Sequence, residues 1–264
     1  MGGSGMGGSG VGGSGVGGSG MGGASMGGAG GTIDAALVAW YQLDDGSGTT
    51  AVDSSGHARN ATLSAIGGGT AAAFSTTHQV GTGSASLTSS GAQGVGSLIT
   101  VPASLNTMGA TTAITIACWV NVRTNRAWQR IFDFGNSMTT GYMFLTPQQA
   151  QNTPNSVRFA ISSAGNAAEQ VIDMTTPAML STGVWHHIAV TLATGSPYVG
   201  TLYIDKAVAG TNPNMTLRPS NLGNTPNNWI GRSQFAVDPF FDGFIDDFRI
   251  YSRALSAPEI AALP

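Results

Sequence analysis

From Thr32 onward the chain is a succession of short apolar runs separated by clusters of Gly, Ser, Thr, Asn and Pro. The runs are rich in Val, Ile, Phe, Tyr and Trp. Segments of that length and composition, bounded by turn residues, are strands. Candidates are Leu37–Leu43, Ala85–Leu87, Leu98–Val101, Ile114–Val122, Gln129–Phe134 and Gly141–Leu145. Further along come Ser156–Ile161, His186–Leu192, Thr201–Ile204, Trp229–Arg232 and Gly243–Tyr251. The one helix signal is terminal. Ser256 can cap it, Glu259 follows three residues later to close a capping box, and Pro258 suits the first turn. Many strands with almost no helix predict an all-β fold of two antiparallel sheets, a jelly-roll sandwich. The 233 residues from Thr32 to Pro264 suit one such sandwich and require no second domain.

Two strands alternate in a way that assigns faces. In Ile114–Val122 one face reads Ile114, Ile116, Cys118, Val120, Val122, which makes Cys118 a small buried apolar residue. In the last strand, strict alternation puts Asp246 on one face with Phe244, Phe248 and Ile250, and Asp247 with Arg249 on the other. A carboxylate among those aromatic and aliphatic neighbours must be hydrogen-bonded, paired or metal-bound.

Composition removes several alternatives. Ten Lys+Arg stand against 13 Asp+Glu without a basic cluster, which speaks against nucleic-acid binding. One cysteine forbids a disulfide framework. No apolar run reaches the length of about 18 that a spanning helix needs. Of the 40 glycines, 18 lie in residues 1–31, so the chain divides into a tail and a 32–264 body. Residues 1–30 are six five-residue units of the form (Met/Val)-Gly-Gly-(Ser/Ala)-(Gly/Ser). Such a stretch reads as a flexible linker, since it buries too little to offset its backbone entropy. The Met or Val at every fifth position also fits an apolar stripe along which copies self-associate. Met1 occupies the repeat position of Met6, so residue 1 need not be a natural start.

The body resembles the laminin-G-like group of concanavalin A-type lectin/glucanase jelly rolls found in secreted bacterial proteins. Leu37-Val-Ala-Trp-Tyr-Gln-Leu-Asp-Asp-Gly-Ser-Gly48 is similar to the family's first strand and acidic turn. Asp53-Ser-Ser-Gly-His-Ala-Arg-Asn-Ala-Thr-Leu63 resembles its Asp-x-Ser-Gly loop, with His57 where Asn is usual. Ile114–Val122 resembles its Trp-containing strand, and Trp185-His-His-Ile-Ala-Val-Thr191 with Leu202-Tyr-Ile-Asp-Lys206 its Trp-His-His strand and hairpin. Ile230-Gly-Arg232 and Phe241–Ser256 resemble its ending. The resemblance implies two antiparallel sheets and often a structural Ca²⁺. In that family the Asp53-type loop and the last strand lie close together. The implied calcium site therefore joins Asp53 to Asp246, with Gly56 and His57 as further contributors. The other reading of the same residues is that Asp53 caps a turn and Asp246 bonds backbone amides.

Glucanases of this fold carry a Glu-x-Asp-x-x-Glu strand. This chain has two Glu, Glu169 and Glu259, and neither lies in such a motif. His186 and His187 are adjacent and so face opposite sides of a strand, with neither an acidic orienter nor a serine elbow beside them in sequence. His57 and His78 lack zinc spacing. For a sugar ligand the candidates are the aromatic platforms Trp128, Tyr142 and Trp229, with Tyr198 and the amides of Gln148, Gln149, Gln151, Asn152, Asn155, Asn227 and Asn228 nearby. Asp238-Pro-Phe-Phe241 reads as an exposed loop carrying two phenylalanines, one of them an anchor. The expected function is a non-catalytic extracellular or cell-surface recognition module that binds carbohydrate or a glycosylated surface. The alternative is a structural or assembly protein (fibre, coat or phage tail-like) that self-associates through residues 1–31.

Overall fold

The computed structural model describes residues 1–3, 34–103, 112–150, 155–176, 178–195 and 197–264. The repeat tail, Gln151 and Asn152 fall outside the described residues, apart from Met1, Gly2 and Gly3.

In chain order the strands are β1 (Leu37–Tyr41), β2 (Thr50–Ala51), β3 (Ala61–Ile66), β4 (Ala73–Ser75), β5 (Ser84–Leu87) and β6 (Gly96–Val101). Then come β7 (Ile114–Val122), β8 (Phe132–Ser137), β9 (Gly141–Thr146), β10 (Arg158–Ser162) and β11 (Gln170–Asp173). The series ends with β12 (Trp185–Leu192), β13 (Tyr198–Ile204), β14 (Ala207–Met215), β15 (Asn227–Ile230), β16 (Gly243–Tyr251) and helix α1 (Ala257–Ala262). They form two antiparallel eight-stranded sheets. One runs β14-β13-β12-β7-β16-β5-β4 with β1 also paired to β16; the other runs β11-β10-β9-β8-β15-β6-β3-β2. This is the two-sheet sandwich the sequence predicts. The expected strands are present, while β2, β3, β4, β11 and β14 were not foreseen. The unforeseen β14 is an edge strand holding Gly210, Asn212, Pro213 and Asn214, residues that a local reading assigns to loops.

The core fills the space between the sheets. Ile114, Ile116, Cys118, Val120 and Val122 all join it, as the alternation of β7 requires. Burial pushes the Cys118 thiol well above its ordinary pKa. The alternation of β16 does not hold. A bulge between Asp246 and Arg249, with Asp247 at φ +48°, shifts the phase of the strand. Ile245 therefore enters the core with Phe248 and Ile250. Phe244 instead packs its ring 6.2 Å from Trp185, with the Arg123 guanidinium 4.8 Å from the Phe244 centroid.

The outer faces of the two sheets differ. On the β16 sheet, Leu37, Ala117, Ala189, Tyr203 and Tyr251 pack under Leu255, Ile260 and Leu263 of the C-terminal segment. The capping box holds α1 there: both the Ser256 amide and its hydroxyl donate to Glu259 Oε2, at 2.7 and 2.8 Å. On the other sheet a separate cluster of Tyr142, Phe144 and Ala160 is flanked by Trp128, Val171 and Phe235. That second face carries the site.

Candidate ligand-binding face

Register places one row of residues across this sheet. Val171 opposes Ala160, Ala160 opposes Phe144, Phe144 opposes Asp133, Asp133 opposes Trp229, and Trp229 opposes Thr100. Directly opposed residues point to the same side, so these side chains share one face. Tyr142, two residues before Phe144, lies on that face too. Gly135 opposes Tyr142, and a Cβ there would come within 2.8 Å of the Tyr142 Cβ.

Over this row lies a cleft of about 240 Å³, lined by Trp128, Arg130, Ala150 and Asn166 together with Glu169, Phe235 and Asp238. Tyr142 lies buried beneath the lining residues. The ring stacks on Phe144 at 5.9 Å and meets Phe235 edge-on at 5.4 Å, and the hydroxyl donates to Glu169 Oε1 at 2.8 Å. Arg130 is only 2% exposed. Its guanidinium carbon lies 3.8 Å from the Phe144 ring centroid, its Nη2 is 2.9 Å from Asp238, and its Nε is 3.5 Å from Asp133. A further guanidinium N–H donates to the Trp128 carbonyl at 2.6 Å. Trp128 itself holds φ +68°, a conformation that side-chain-bearing residues avoid, and its N–H donates to the Gln148 carbonyl at 2.8 Å. Strained backbone of this kind is maintained where surrounding contacts fix it. Here it presents the indole to the cleft.

The electrostatics follow from burial. Asp133 is fully buried, and desolvation pushes its carboxyl up to about 7 against the pull of Arg130. Burial also raises Glu169, although the Tyr142 hydrogen bond opposes the rise, and it raises Asp238 despite Arg130. The cleft thus combines an indole wall, a phenyl edge, one buried guanidinium and several carboxyls.

Of the three expected ligand aromatics, Trp128 lines the cleft. Tyr142 is wholly buried beneath it, with its hydroxyl committed to Glu169, so its contribution is support rather than contact. Trp229 lies on the same face without lining the cleft. Arg130, Glu169, Phe235 and Asp238 were not foreseen, because no local motif marks them. Phe240 and Phe241 are both buried, so the Asp238–Phe241 loop carries two anchors and no apolar contact surface. Tyr198 lies under the Arg218 guanidinium, 4.8 Å from its ring centroid.

The residues expected to hold calcium make hydrogen bonds to the protein itself. Asp53 Oδ1 accepts N–H groups from Trp40 and Ser55, at 3.0 and 2.9 Å, and Oδ2 accepts from Arg59 at 2.9 Å. Asp246 Oδ2 accepts instead from Gln79 and Val80, at 2.8 and 2.9 Å. Gly56 and His57 are exposed, and the His57 ring bonds the Ser55 hydroxyl at 3.1 Å. Among the described residues no three His, Cys, Asp or Glu side chains are grouped to hold a metal ion. Amide N–H groups engage both oxygens of Asp53, which describes a turn cap. Amide bonding accounts for one oxygen of Asp246, while its Oδ1 is buried without a hydrogen-bond partner.

His186 does have an acidic partner, contrary to the sequence expectation. Its Nε2 is 2.7 Å from the Ser181 hydroxyl and its Nδ1 is 2.9 Å from Asp205 Oδ2. Asp205 Oδ1 accepts the His187 N–H at 3.1 Å. Asp205 and Lys206, both at positive φ, form the two-residue turn between β13 and β14. The chain of bonds therefore ties the hairpin turn to β12, and its residues do not line the aromatic cleft. His187 is buried edge-on against Trp119 at 5.3 Å, and desolvation pushes it down to about 4.

The fold and this face define a jelly-roll sandwich with one sheet covered by its own C-terminus and the other bearing an aromatic, charged cleft. The chain belongs to the concanavalin A-like lectin/glucanases superfamily, whose laminin-G-type family model matches residues 93–261. No curated protein matches the chain in sequence. Among solved structures it is similar to domain 4 of AbnA, a GH43 extracellular arabinanase from Geobacillus stearothermophilus, in complex with arabinotriose. That match has 22% identity, 86% of this chain and 97% of the other, and a TM-score of 0.64. The binding domain of botulinum neurotoxin DC, in complex with rat synaptotagmin II, matches at 14% identity over 88% of this chain and 51% of the other, with a TM-score of 0.60. A botulinum neurotoxin type C structure, whose cell entry depends on interaction with two ganglioside molecules, matches at 14% identity over 87% and 51%, with a TM-score of 0.60. At these identities the likeness is one of fold.

Proposed function

We propose that this chain is a non-catalytic carbohydrate-recognition module that works outside the cell or at its surface, with the Trp128–Arg130–Glu169–Asp238 cleft as its binding site. The observation that carries this reading is the pairing of the strained, cleft-facing Trp128 with buried, hydrogen-bonding charges. A sugar ring has an apolar C–H face and a hydroxyl-rich edge. The face packs on the Trp128 indole and the Phe235 edge, while hydroxyls meet the Glu169 and Asp238 carboxyls and the Asn166 amide. The saccharide-bound arabinanase domain and the ganglioside-dependent toxin of the same fold support the ligand class. Titration calorimetry against a panel of oligosaccharides that includes arabinotriose tests it. Binding is expected for at least one glycan, with Trp128→Ala weakening it at least tenfold and leaving the fold intact. Absence of glycan binding, or a Trp128→Ala variant that binds like the parent, would sink the proposal.

A further inference from the structure

Arg232 is a cation without a counter-ion. Its guanidinium carbon lies 4.0 Å from the Trp229 ring centroid, and it forms no ion pair with any described residue. Arg123, Arg130, Arg158, Arg249 and Arg253 each have a carboxylate at hydrogen-bonding distance. Arg59 and Arg218 also lack an ion pair, but Arg59 donates to the Val38 carbonyl and Arg218 lies over Tyr198, off the row that carries Trp229. Burial alone lowers the pKa of Arg232, with no neighbouring charge contributing. A partly desolvated guanidinium normally has a compensating anion, and a planar guanidinium fork resting over an indole can take a carboxylate through two parallel hydrogen bonds.

Its place on the sheet adds to the argument. Trp229 opposes Asp133, which opposes Phe144 under Arg130. Two strand spacings, about 10 Å, thus separate the Trp229 backbone from the strand beneath the cleft. A short oligosaccharide lying across the strands covers that distance. The cleft end carries Glu169 and an Asp238 already paired with Arg130. At the Trp229 end the buried Asp133 lies opposite in register, and Arg232 has no carboxylate in ion-pair distance among the described residues.

We propose that Trp229 and Arg232 form a second subsite for a carboxylate-bearing sugar unit, a uronic acid, of a saccharide whose neutral part occupies the cleft. The proposal rests on the glycan-binding reading. It is tested with a uronic-acid-containing oligosaccharide and its carboxyl-reduced, neutral counterpart, titrated into the full chain and into Arg232→Gln and Trp128→Ala variants. The parent is expected to prefer the acidic oligosaccharide by about tenfold, as hydrogen bonds to a charged group imply. Arg232→Gln should bind both ligands equally, at the neutral ligand's affinity, and Trp128→Ala should weaken both. Equal binding of the two by the parent, or a preference that survives Arg232→Gln, overturns the subsite and leaves the cleft reading standing. Binding of neither overturns both.

Discussion

The hydroxyl of Tyr142 donates to Glu169 Oε1 at 2.8 Å, which joins the buried ring beneath the cleft to a carboxyl at its rim. The bond holds Glu169 over the aromatic cluster and offsets part of the rise that burial imposes on its pKa. It also explains why a wholly buried tyrosine, rather than a phenylalanine, occupies this position.

Tyr142→Phe keeps the ring and removes the bond. The Glu169 pKa should rise further, and unfolding free energy should fall by about 1 kcal/mol, the usual net value of one hydrogen bond. Glycan affinity should fall because Glu169 is no longer held. Urea denaturation and calorimetry read the two effects separately.

Asp133 gives the cleft a pH signature. Its folded pKa, about 7, lies above the ordinary 3.8, so the folded state holds this proton more tightly than the unfolded chain does. The stability of the neutral form is fully present below 3.8 and is lost as pH rises through about 7. The difference in unfolding free energy between the parent and Asp133→Asn should therefore change across that window and be flat above it. A difference independent of pH would show that Asp133 titrates normally.

Asp53 behaves in the opposite sense. Burial raises its carboxyl, but the Ser55 side chain and three backbone N–H groups together hold it below the ordinary value. Its contribution is present above 3.8 and is lost as pH falls through the lower folded value. Asp53→Ala leaves those amides without their acceptor and should cost about 3 kcal/mol or more, since each unsatisfied buried donor costs about 1–3 kcal/mol. A chelator should leave the melting temperature of the parent unchanged. A drop on chelation that calcium restores would return the metal to this loop.

Ser181, His186 and Asp205 have the hydrogen-bond order of an acyl-transfer relay, and the binding reading makes a definite statement about them. Hydrolysis of an activated ester by the parent should equal that of Ser181→Ala, and a fluorophosphonate probe should leave Ser181 unlabelled. Serine-dependent turnover or labelling would contradict the non-catalytic assignment.

The sandwich, the β7 core face and the α1 capping box were legible in the sequence because each depends on residues close together in the chain. Period-two alternation places Ile114 through Val122, and a Ser256–Glu259 spacing is enough to start a helix. The phase of β16 was not legible. Along one edge, β5 pairs with Gly243–Ile245 and β1 with Tyr41 to Leu37 opposite Phe248–Tyr251, and the bulge at Asp246–Asp247 fills the change of partner. Asp246 bonds Gln79 and Val80 from the β4–β5 connection, 167 and 166 residues away, which no local pattern encodes. The same holds for the site. Trp128 and the aromatic content of the face were visible as residues, but the register of five strands aligns Trp229, Asp133, Phe144, Ala160 and Val171. Nothing near Glu169 or Asp238 in sequence announces a cleft, because their setting is made by partners from distant strands. Local sequence determined which segments become strands and which faces are apolar. Tertiary structure decided which sheet face stays open and which charges meet there, since strand pairing is long-range and C-terminal docking covers only one of the two sheets.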